Sequence, residues 1–532
     1  MSDCISYQQT HRFSKLIEDY IAKDEKVEPF YNRFPELASF EGQITEKHAH
    51  VKAKNRAILA DVLLQQYTKI AASQASINNI KSLVDVDTFT VTTGHQLNLF
   101  TGPIYFIYKI VSTIKLCNQL QLQYPDKKFV PVYWMASEDH DFEEIKFFNL
   151  NNKKYSAHQL KKGKVGAHPT ENLDLLFKEL DKDLGIGEHA NYLRKLFQKA
   201  YLYHETYAEA TRYLVNLLFQ DYGLVIIDAD QKDLKRICIP QFKNELLHQS
   251  VSKYTAQSIA RLKEANYKVQ VNPREINLFY IKDGLRERIL VKGGLYYINE
   301  TKLKFTQAEL LNELETFPER FSPNVMIRPL YQEAILPNLC YIGGGGELAY
   351  WFQLKPYFEA EEIPLPILLL RNSALIYTHK QAQKASNLNL KLDDFFLSSN
   401  ELATKVTHQT SEIKIDFFPQ KKYLEKQFED LYNLAKQTDA SFKGAVAAQE
   451  QKQINGLTYL EKRLLKAQKR KLKDYLKRVE ALQLSLFPEQ NLQERHINFS
   501  EIYLKLGKEL IPRLLSEFNP LDLQFNLIEI DQ

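Results

Sequence analysis

Residues 89–103 read FTVTTGHQLNLFTGP, and this stretch decides the fold class. Its opening β-branched and apolar residues predict a short strand, which ends at Gly94, where glycine lets the backbone approach a ligand closely. The residues after Pro103 have a helical pattern, with Thr101 as the predicted N-cap and Pro103 in the first turn. The stretch therefore predicts a strand, a glycine turn and a helix.

The sequence on either side of this stretch predicts an α/β core. A second apolar run at 129–136 completes a strand–helix–strand unit, which is typical of parallel-sheet folds. Helical patterns separate several of the strands that follow. Those strands are predicted at 224–228, 268–271, 278–281, 288–292, 296–298, 325–327 and 367–370. We therefore predict a Rossmann-like, doubly wound catalytic core at 86–375, with β-hairpin insertions.

Helical sequences are predicted before and after this core. Residues 1–85 have apolar side chains at helical spacing, and we expect this N-terminal helical segment to pack on the core. Residues 376–496 are rich in Glu, Lys, Gln and Leu, with apolar residues that recur every seven positions. This spacing predicts an antiparallel coiled-coil hairpin at 420–487, with its bend marked by two glycines. Residues 497–532 have apolar side chains that need burial, so we expect this segment to return to the core.

Composition limits the classes of function. The 532 residues carry 70 basic and 66 acidic side chains, for a net charge of +4. A protein that coats nucleic acid needs a larger positive excess, so we expect no nucleic-acid partner. No apolar run approaches the roughly 20 residues that span a bilayer, and the N-terminus lacks a signal-peptide pattern. The four cysteines form no CxxC pair, so we expect reduced thiols in the cytoplasm and no membrane association.

The first candidate site surrounds Gly94. A helix after a glycine turn directs its free N–H groups and positive dipole end at a ligand, which suits a phosphate or a carboxylate. His95 could donate to a nucleotide phosphate oxygen, and the Thr-x-Gly-His pattern is similar to the signature of the nucleotidyltransferases. The simpler alternative is a tight turn with a surface histidine. The residues predicted to bind here are Thr93, Gly94, Gln96, Thr101 and Gly102, with His95 as a catalytic residue.

The second candidate site follows the second strand of the unit, where residues 134–141 read WMASEDHD. Folds of the α/β class bind ligands at the carboxyl ends of their strands. Three carboxylates and an imidazole there could hold a substrate ammonium, orient a metal or supply a general base. The alternative is that these carboxylates cap a helix that begins at Phe142. We predict that Asp139, His140 and Asp141 are catalytic residues.

The third candidate site combines Arg328 with a glycine run at 343–346. The run precedes a predicted helix and could form a second anion-binding turn, although it lacks the Gly-Lys-Ser/Thr ending of a P-loop. A guanidinium matches a carboxylate in bidentate fashion, so Arg328 could bind a substrate carboxylate. The alternative is a flexible loop beside a core arginine. The predicted binding residues are Arg328, Tyr331, Gly345, Gly346, Glu347 and Tyr350.

These clusters share their sequence blocks with one protein family. The blocks are 93–96 with 99–103, 131–134 with 138–142, 228–230, 322–325 with 328–332, and 346–351. They occur in order along the chain, and as a set they resemble the bacillithiol biosynthesis cysteine-adding enzymes, the cysteine ligases of that pathway. The chain departs from the family pattern at Gly344 and Gly345, where a proline-containing loop is expected.

The resemblance implies a Rossmann-like core and a C-terminal coiled-coil domain that can mediate a homodimer. It also implies the last step of bacillithiol synthesis, in which L-cysteine is joined through an amide to the amino sugar of glucosaminyl malate. A free carboxylate must be activated before it forms an amide in water. We therefore expect ATP as cofactor, Mg²⁺ with it, and a cysteinyl adenylate or acyl phosphate. Arg328 would bind the malate carboxylates, and no metal-ligating residues are predicted.

Other functions stay open at the level of sequence. A nucleotidyltransferase for another small molecule would use the same phosphate site and release pyrophosphate. A non-catalytic nucleotide-binding scaffold would act through its coiled coil, but it has no need of polar clusters at strand ends. A metal-dependent hydrolase would use Asp139, His140 and Asp141, yet the sequence offers no further ligand set. The basic run at 462–478 is either a solvated helix face or a docking surface.

Overall fold

The computed structural model describes residues 3–158, 162–282 and 284–531. Met1, Ser2 and Gln532, which belong to the predicted terminal segments, lie outside the described residues. The chain forms two compact units. The core unit comprises Met1–Gln8, Arg12–Leu375 and Leu492–Ile528, and the helical unit comprises Gln9–His11, Ile376–Asn491 and Glu529–Gln532.

The secondary structure alternates between strands and helices. The strands are β1 Asp3–Ile5, β2 Thr88–His95, β3 Lys128–Met135, β4 Phe147–Leu150, β5 Lys153–Ser156, β6 Val225–Asp228, β7 Leu278–Lys282, β8 Leu285–Lys292, β9 Leu295–Ile298, β10 Lys304–Phe305, β11 Phe321–Pro323, β12 Asn338–Gly343, β13 Ile367–Leu370, β14 Ser373–Thr378 and β15 Phe525–Ile530. The α-helices are α1 Tyr7–Thr10, α2 Lys15–Ile21, α3 Ser39–His50, α4 Ala53–Tyr67, α5 Gln74–Ser82, α6 Tyr105–Gln123, α7 Phe142–Ile145, α8 Leu173–Asp183, α9 Glu188–Tyr201, α10 Tyr207–Phe219, α11 Lys232–Ile237, α12 Ile239–His248, α13 Ser250–Glu264, α14 Gln307–Thr316, α15 Arg328–Ile335, α16 Gly345–Trp351, α17 Lys355–Ala360, α18 His379–Asn387, α19 Ser399–Thr410, α20 Phe418–Ala435, α21 Ala440–Lys471, α22 Lys473–Leu486, α23 Phe499–Leu506 and α24 Leu510–Glu517.

A five-stranded parallel sheet organises the core unit, with the strand order β13-β12-β2-β3-β6. Strand β2 pairs in parallel with β12 on one side and with β3 on the other, and β3 pairs in parallel with β6. Every residue of β2 except the last is buried, as expected for a strand that is covered on both faces. Helix α6 packs on β2 and β3, where Leu116 and Leu120 join Phe89 and Phe129 in the hydrophobic core. The predicted Rossmann-like α/β core is confirmed.

A second, antiparallel sheet forms in the same unit, with the order β10-β9-β8-β7-β11. Strands β7 and β8 form one hairpin, and β8 and β9 form the next. Phe279 of β7 lies opposite Arg288 of β8 in this register, and Ser322 of β11 lies opposite Phe279 on the other side. These are the hairpin insertions that the sequence predicts.

Two predicted strands in the core unit are wrong. The segment 268–271 has no regular structure, because the side chain of Gln353 takes both backbone hydrogen bonds of Val271: its Nε2 donates to the carbonyl and its Oε1 accepts from the N–H. The segment 325–327 is a turn, because the side chain of Asn324 accepts from the backbone N–H groups of Met326 and Ile327 and leads the chain into α15. In both cases a side chain satisfies backbone groups that a strand would have paired.

The helical unit contains the predicted coiled-coil hairpin, but its bend differs from the prediction. Helices α20 and α21 pack together around Phe428, Ala435 and Val446. The chain reverses before α21, where the carboxylate of Asp439 caps the helix by accepting from two N–H groups. Gly444 and Gly456, the predicted bend, both lie inside α21, so that prediction is wrong. A glycine within an exposed helix costs only about 1 kcal/mol, which a helix of this length tolerates.

The C-terminal segment belongs to the core unit from Leu492 to Ile528. Strand β15 pairs antiparallel with β1, with Phe525 opposite Ile5, and Phe525, Leu527 and Ile528 are buried. Among the described residues, no helix has both the length and the apolar character needed to cross a membrane.

Candidate active site

The carboxyl ends of β2 and β3 bring two predicted sites together. Gly94 pairs with Trp134 and His95 with Met135 in the parallel register, so the residues that follow both strands leave the sheet side by side. They line a cleft of about 760 Å³ in the core unit, a volume within the range of small-molecule sites. The predicted site residues that line it are Gly94, His95, Gln96, Asp139, His140, Arg328, Glu347 and Tyr350. All three predicted sites therefore contribute to one cleft.

An ion pair between a buried lysine and a partly buried glutamate links the first site to the third. Lys109 of α6 is 2% exposed, and its Nζ lies 2.5 Å from Oε1 of Glu347 and donates to the carbonyl of Gly94 at 2.6 Å. The hydroxyl of Tyr341 donates to the other carboxylate oxygen of Glu347 at 2.6 Å. Burial lowers the pKa of Lys109, and Glu347 opposes this shift. Burial also disfavours ionised Glu347, but Lys109 and the hydrogen bonds from Tyr341 and Gly344 outweigh it and lower its pKa.

Arg328 is held as a cation by aromatic rings. Its guanidinium lies 5.5–5.9 Å from the ring centroids of Trp134, Tyr341 and Trp351, within the range of cation–π attraction. It donates to the hydroxyl of Tyr350 and to Oε1 of Gln332. Burial works to lower the pKa of Arg328, but the neighbouring Tyr350 and Tyr341 outweigh burial and raise it. Because no described carboxylate lies within ion-pair distance of this guanidinium, it can accept an anion from the cleft.

His95 lies at the end of β2 in a hydrophobic setting. Its ring packs against Tyr105 and Phe106, and burial lowers its pKa well below the usual value, with the charges of Lys109 and Arg371 acting in the same direction. Among the described residues, none forms a hydrogen bond with its buried Nε2. The imidazole is therefore neutral and keeps one ring nitrogen for a ligand.

The second site places His140 against a second arginine of the cleft, Arg286, and Asp139 lies beside it. Asp139 accepts from Nε2 of Gln96 and from the backbone N–H of His140, both at 2.7 Å. Burial opposes ionisation of Asp139, but these hydrogen bonds and the charge of Arg286 outweigh it and lower its pKa. Arg286 Nη1 lies 2.8 Å from Nδ1 of His140. A guanidinium is always a donor, so Nδ1 accepts and the ring proton of His140 is on Nε2, which makes this imidazole a donor and not a base.

A buried lysine organises the remaining carboxylates of the cleft. Lys235 lies 2.6 Å from Glu138 and 2.8 Å from Asp230, and Lys164 also pairs with Asp230. Although burial favours neutral Asp230, its two lysine partners lower its pKa to about 2. Burial raises the pKa of Glu138, and Lys235 offsets this only in part. The group therefore contains an ionised Asp230, a charged Lys235 and a carboxyl at Glu138 that binds a proton more readily than usual.

Comparison with known proteins identifies the family. Residues 1–372 match the family model for "Bacillithiol biosynthesis BshC, N-terminal Rossmann-like domain". Residues 374–530 match the model for "Bacillithiol biosynthesis BshC, C-terminal coiled-coil domain". The chain belongs to the BshC family.

Relatives in this family match along the whole chain. The chain is 54% identical to a protein of Flavobacterium johnsoniae over 529 residues, which cover 99% of this chain and 100% of that protein. It is 51% identical to a protein of Christiangramia forsetii, with 99% of both chains covered. It is 36% identical to a protein of Cytophaga hutchinsonii, with 97% of this chain and 96% of that protein covered. All three are named "Putative cysteine ligase BshC".

Several residues predicted to bind or react lie outside the cleft of this BshC-family chain. Thr93 donates its hydroxyl to the carbonyl of Ile342, and Tyr331 donates to the carbonyl of Ala229, so both side chains tie the core together. Asp141 is exposed at the start of α7. The predicted site residues that do not line the cleft are Thr93, Thr101, Gly102, Asp141, Tyr331, Gly345 and Gly346.

The predicted start of the phosphate-binding helix is also wrong. Helix α6 begins at Tyr105, with Ile104 as its N-cap, and Thr101 has a positive φ and a buried hydroxyl that caps nothing. Asn498 donates to the carbonyl of Gly102, and the N–H of Ile104 donates to a carbonyl of the C-terminal segment. A segment almost 400 residues away thus closes this turn, which local sequence preferences cannot anticipate.

The sequence did not single out several charged residues that line the cleft or support it. Glu138 lines the cleft, whereas Asp141 of the same acidic run does not. Lys109 stands among the apolar residues of the first turns of α6, and a cation in such a stretch indicates a specific partner. Lys235 and Arg286 come from distant segments and carry no comparable signal. Within the described residues, no group of three or more His, Cys, Asp or Glu side chains is placed to hold a metal ion.

Proposed function

We propose that this BshC-family chain is a cysteine ligase that joins L-cysteine through an amide to the amino sugar of glucosaminyl malate, with ATP activating the cysteine carboxylate. The observation that carries the proposal is the single cleft where β2 and β3 end, which combines cations, ionised carboxylates and a carboxyl of raised pKa. Amide formation from a free acid needs cations that stabilise the activated acid, a carboxylate that binds an ammonium group, and a group that accepts a proton from the attacking amine.

ATP suits the residues at the buried end of the cleft. Neutral His95 keeps an unpartnered Nε2 among the described residues, and Lys109 and Arg328 are cations of the same cleft. These residues would hold the phosphates, and the bound nucleotide would supply the activation of the carboxylate. Mg²⁺ would accompany ATP, with phosphate oxygens and water as most of its ligands.

The acidic residues suit the two amines of the reaction. Ionised Asp139 can hold an ammonium group, and His140 adds an N–H donor through Nε2. The attacking amine must lose a proton, and Glu138 is the better acceptor because burial raises its pKa toward the range of a general base. Lys235 fixes the position of Glu138 and stays charged between two carboxylates. His140, which the sequence predicts to be catalytic, would therefore donate a hydrogen bond to the substrate and would not act as the base.

A direct assay tests the proposal. The purified chain is incubated with L-cysteine, glucosaminyl malate, ATP and Mg²⁺, and the products are analysed by mass spectrometry. We expect the amide, formed only when all three substrates are present, while L-serine in place of cysteine serves as the control. A nucleotide-linked product with pyrophosphate release would instead support a nucleotidyltransferase, and ATP binding without turnover would support a scaffold. Unchanged bacillithiol in cells that lack the gene would also contradict the proposal.

We also propose that the helical unit mediates a homodimer. Helices α20 and α21 expose large apolar side chains, among them Phe418, Tyr423, Tyr459 and Leu460, which favours a partner surface. Light scattering of the wild type should give twice the mass of one chain, and Tyr459→Glu with Leu460→Glu should give the monomer. A monomeric wild type would contradict the proposal.

We propose that the reaction takes place in the cytoplasm, because a reducing compartment suits three buried thiols of the core unit that form no disulfide. Cys117, Cys238 and Cys340 are buried there, and burial raises the pKa of each. Cell fractionation with an antibody against the chain tests this placement, and recovery outside the cytoplasmic fraction would contradict it.

A further inference from the structure

We propose that Arg274 and Arg288 bind the carboxylates of the acceptor substrate and make the cleft selective for an anionic amino sugar. We call the surface formed by Arg274, Phe279, Arg286 and Arg288 the arginine wall. All four residues line the cleft. The identity of the acceptor rests on the proposed function. The sequence assigns the malate carboxylates to Arg328, whereas in this arrangement the arginine wall binds them.

Strand geometry places two of these arginines side by side. Arg286 and Arg288 are two residues apart on β8, so their side chains leave the same face of the sheet. Phe279 lies directly opposite Arg288 on β7, and the guanidinium of Arg286 stacks 3.9 Å from the centroid of its ring. Arg286 also donates to the hydroxyl of Ser322 on β11, so it is anchored, whereas Arg288 is exposed to the cleft.

Arg274 lies on an irregular segment that buried side chains hold in place. Its backbone N–H donates to Oδ1 of Asn277, and Nδ2 of Asn277 donates back to its carbonyl. Asn277 in turn donates its N–H and Nδ2 to Oε1 of the buried Glu245, at 2.7 and 2.8 Å. Gln353 holds the same segment at Val271 through two further bonds. The segment therefore presents Arg274 from a fixed backbone, although it belongs to no helix or strand.

The two sides of the cleft differ in how their charges are paired. On the side where β2 and β3 end, Lys109 pairs with Glu347, and the carboxylates of Glu138 and Asp139 face the cleft. On the arginine wall, by contrast, no described carboxylate lies within ion-pair distance of Arg274 or Arg288. An acceptor that carries an amine on one ring carbon and malate on the next is oriented by this difference, with its amine toward Glu138 and its carboxylates toward the arginine wall.

Arg328 is less suited to the two carboxylates of one acceptor. Its guanidinium is enclosed by three aromatic rings, and two of its five N–H donors already bind Tyr350 and Gln332. It also lies beside Lys109 and Glu347, close to the end of β2, where the activated acid is expected. Arg274 and Arg288 together offer two guanidinium groups, and each can bind one carboxylate through two parallel N–H donors.

Steady-state kinetics with two acceptors test the inference. Arg274→Ala and Arg288→Ala should each raise the KM for glucosaminyl malate about tenfold or more and leave the KM values for cysteine and ATP within about twofold. Methyl glucosaminide, an acceptor without carboxylates, should show no such change between wild type and variant. Arg288→Lys should recover part of the loss, because lysine keeps the charge but loses bidentate geometry. Arg261→Ala, an exposed arginine of α13 outside the cleft lining, is the matched control.

The outcomes separate this inference from the proposed function. A raised KM for ATP would assign the wall to the nucleotide, and equal losses with both acceptors would show a structural role only; either result overturns the inference. L-malate alone is the probe that needs no turnover: it should raise the unfolding temperature of the wild type and of Arg261→Ala, but not of the double Arg274→Ala, Arg288→Ala variant. A wild type without ligase activity that still shows this difference would overturn the proposed function and keep the carboxylate site. The absence of a malate effect on the wild type would overturn the site itself.

Discussion

The two sides of the cleft are built by different means. The side where β2 and β3 end, which we call the paired side, is carried by regular strands, and its lysine, Lys109, is buried and paired with Glu347. The arginine wall is carried by a hairpin and an irregular segment, and Arg274 and Arg288 are exposed and lack a described carboxylate partner. Buried pairs fix geometry and resist change, whereas unpaired exposed cations are available to a ligand. The comparison assigns chemistry to the first side and recognition to the second.

Breaking the paired side at Lys109 should have the largest effect. Lys109→Met leaves the partly buried Glu347 without its cation, and we expect kcat/KM to fall at least about a hundredfold and the free energy of unfolding to fall by about 3 kcal/mol, the low end for a buried pair. Steady-state kinetics and urea denaturation measure both effects. Lys109→Met combined with Glu347→Gln should recover much of the stability but not the activity. A double variant as unstable as the single one would contradict the ion-pair interpretation.

The second largest effect is expected at His95, a neutral side chain on the same side of the cleft. His95→Ala removes a neutral imidazole whose Nε2 has no described partner, so we expect turnover to fall at least about tenfold while stability changes little. Turnover of the ligase reaction under saturating substrates is the measurement, with circular dichroism to show that the variant is folded. Wild-type turnover would remove His95 from the mechanism.

A matched pair of aspartates tests which carboxylates belong to the site. Asp139→Asn should lower kcat about tenfold, whereas Asp141→Asn, which lies outside the cleft, should stay within about twofold of wild type. The structure lowers the pKa of Asp139 below its unfolded value, so its ionised form stabilises the fold above about pH 4. The stability difference between wild type and Asp139→Asn should therefore be full at neutral pH and begin to shrink once the pH falls below about 4, the unfolded pKa. Urea titrations between pH 3 and 7 measure it, on the order of 1–2 kcal/mol, and a difference that grows in acid would refute the assignment.

The smallest effect is expected from a substitution that weakens the backbone support of the arginine wall but keeps all of its arginines. Gln353→Ala leaves both backbone groups of Val271 without their partner, which should cost about 1–3 kcal/mol of stability. Because Arg274 is still held through Asn277, we expect only a severalfold rise in the KM for glucosaminyl malate and no change in kcat. Thr316→Ala, an exposed helix-end residue of α14, is the control. A large loss of kcat would mean that this segment takes part in the chemistry.

Much of the paired side could be predicted, because its residues follow directly from local sequence. The strand before Gly94 and the strand before Glu138 are short apolar runs, and neighbouring parallel strands end at one edge of a sheet. From the sequence alone, His95 and Asp139 are therefore expected to lie in one cleft. The sequence does not say which side chain of the acidic run faces inward, and the prediction selected Asp141 where the structure places Glu138.

The arginine wall could not be predicted, because its hydrogen-bond partners are distant in sequence. Residues 268–271 have strand composition, yet Gln353, 82 positions from Val271, takes the bonds that a neighbouring strand would have made. Glu245 orders Asn277, and with it Arg274, from 32 positions away. Lys235 reaches Glu138 across 97 positions.

By itself, the sequence determined the strand–helix–strand unit that ends near residue 136, the coiled-coil hairpin and the family to which the chain belongs. These features depend on local periodicity and on contiguous blocks of residues, which one strand or one helix expresses on its own. Only the tertiary structure decided that Lys109 neutralises Glu347, that Arg286 sets the proton of His140, and that Arg274 and Arg288 stay unpaired. Charge pairing is a property of distances between segments far apart in the chain, and burial decides how strongly each pair acts.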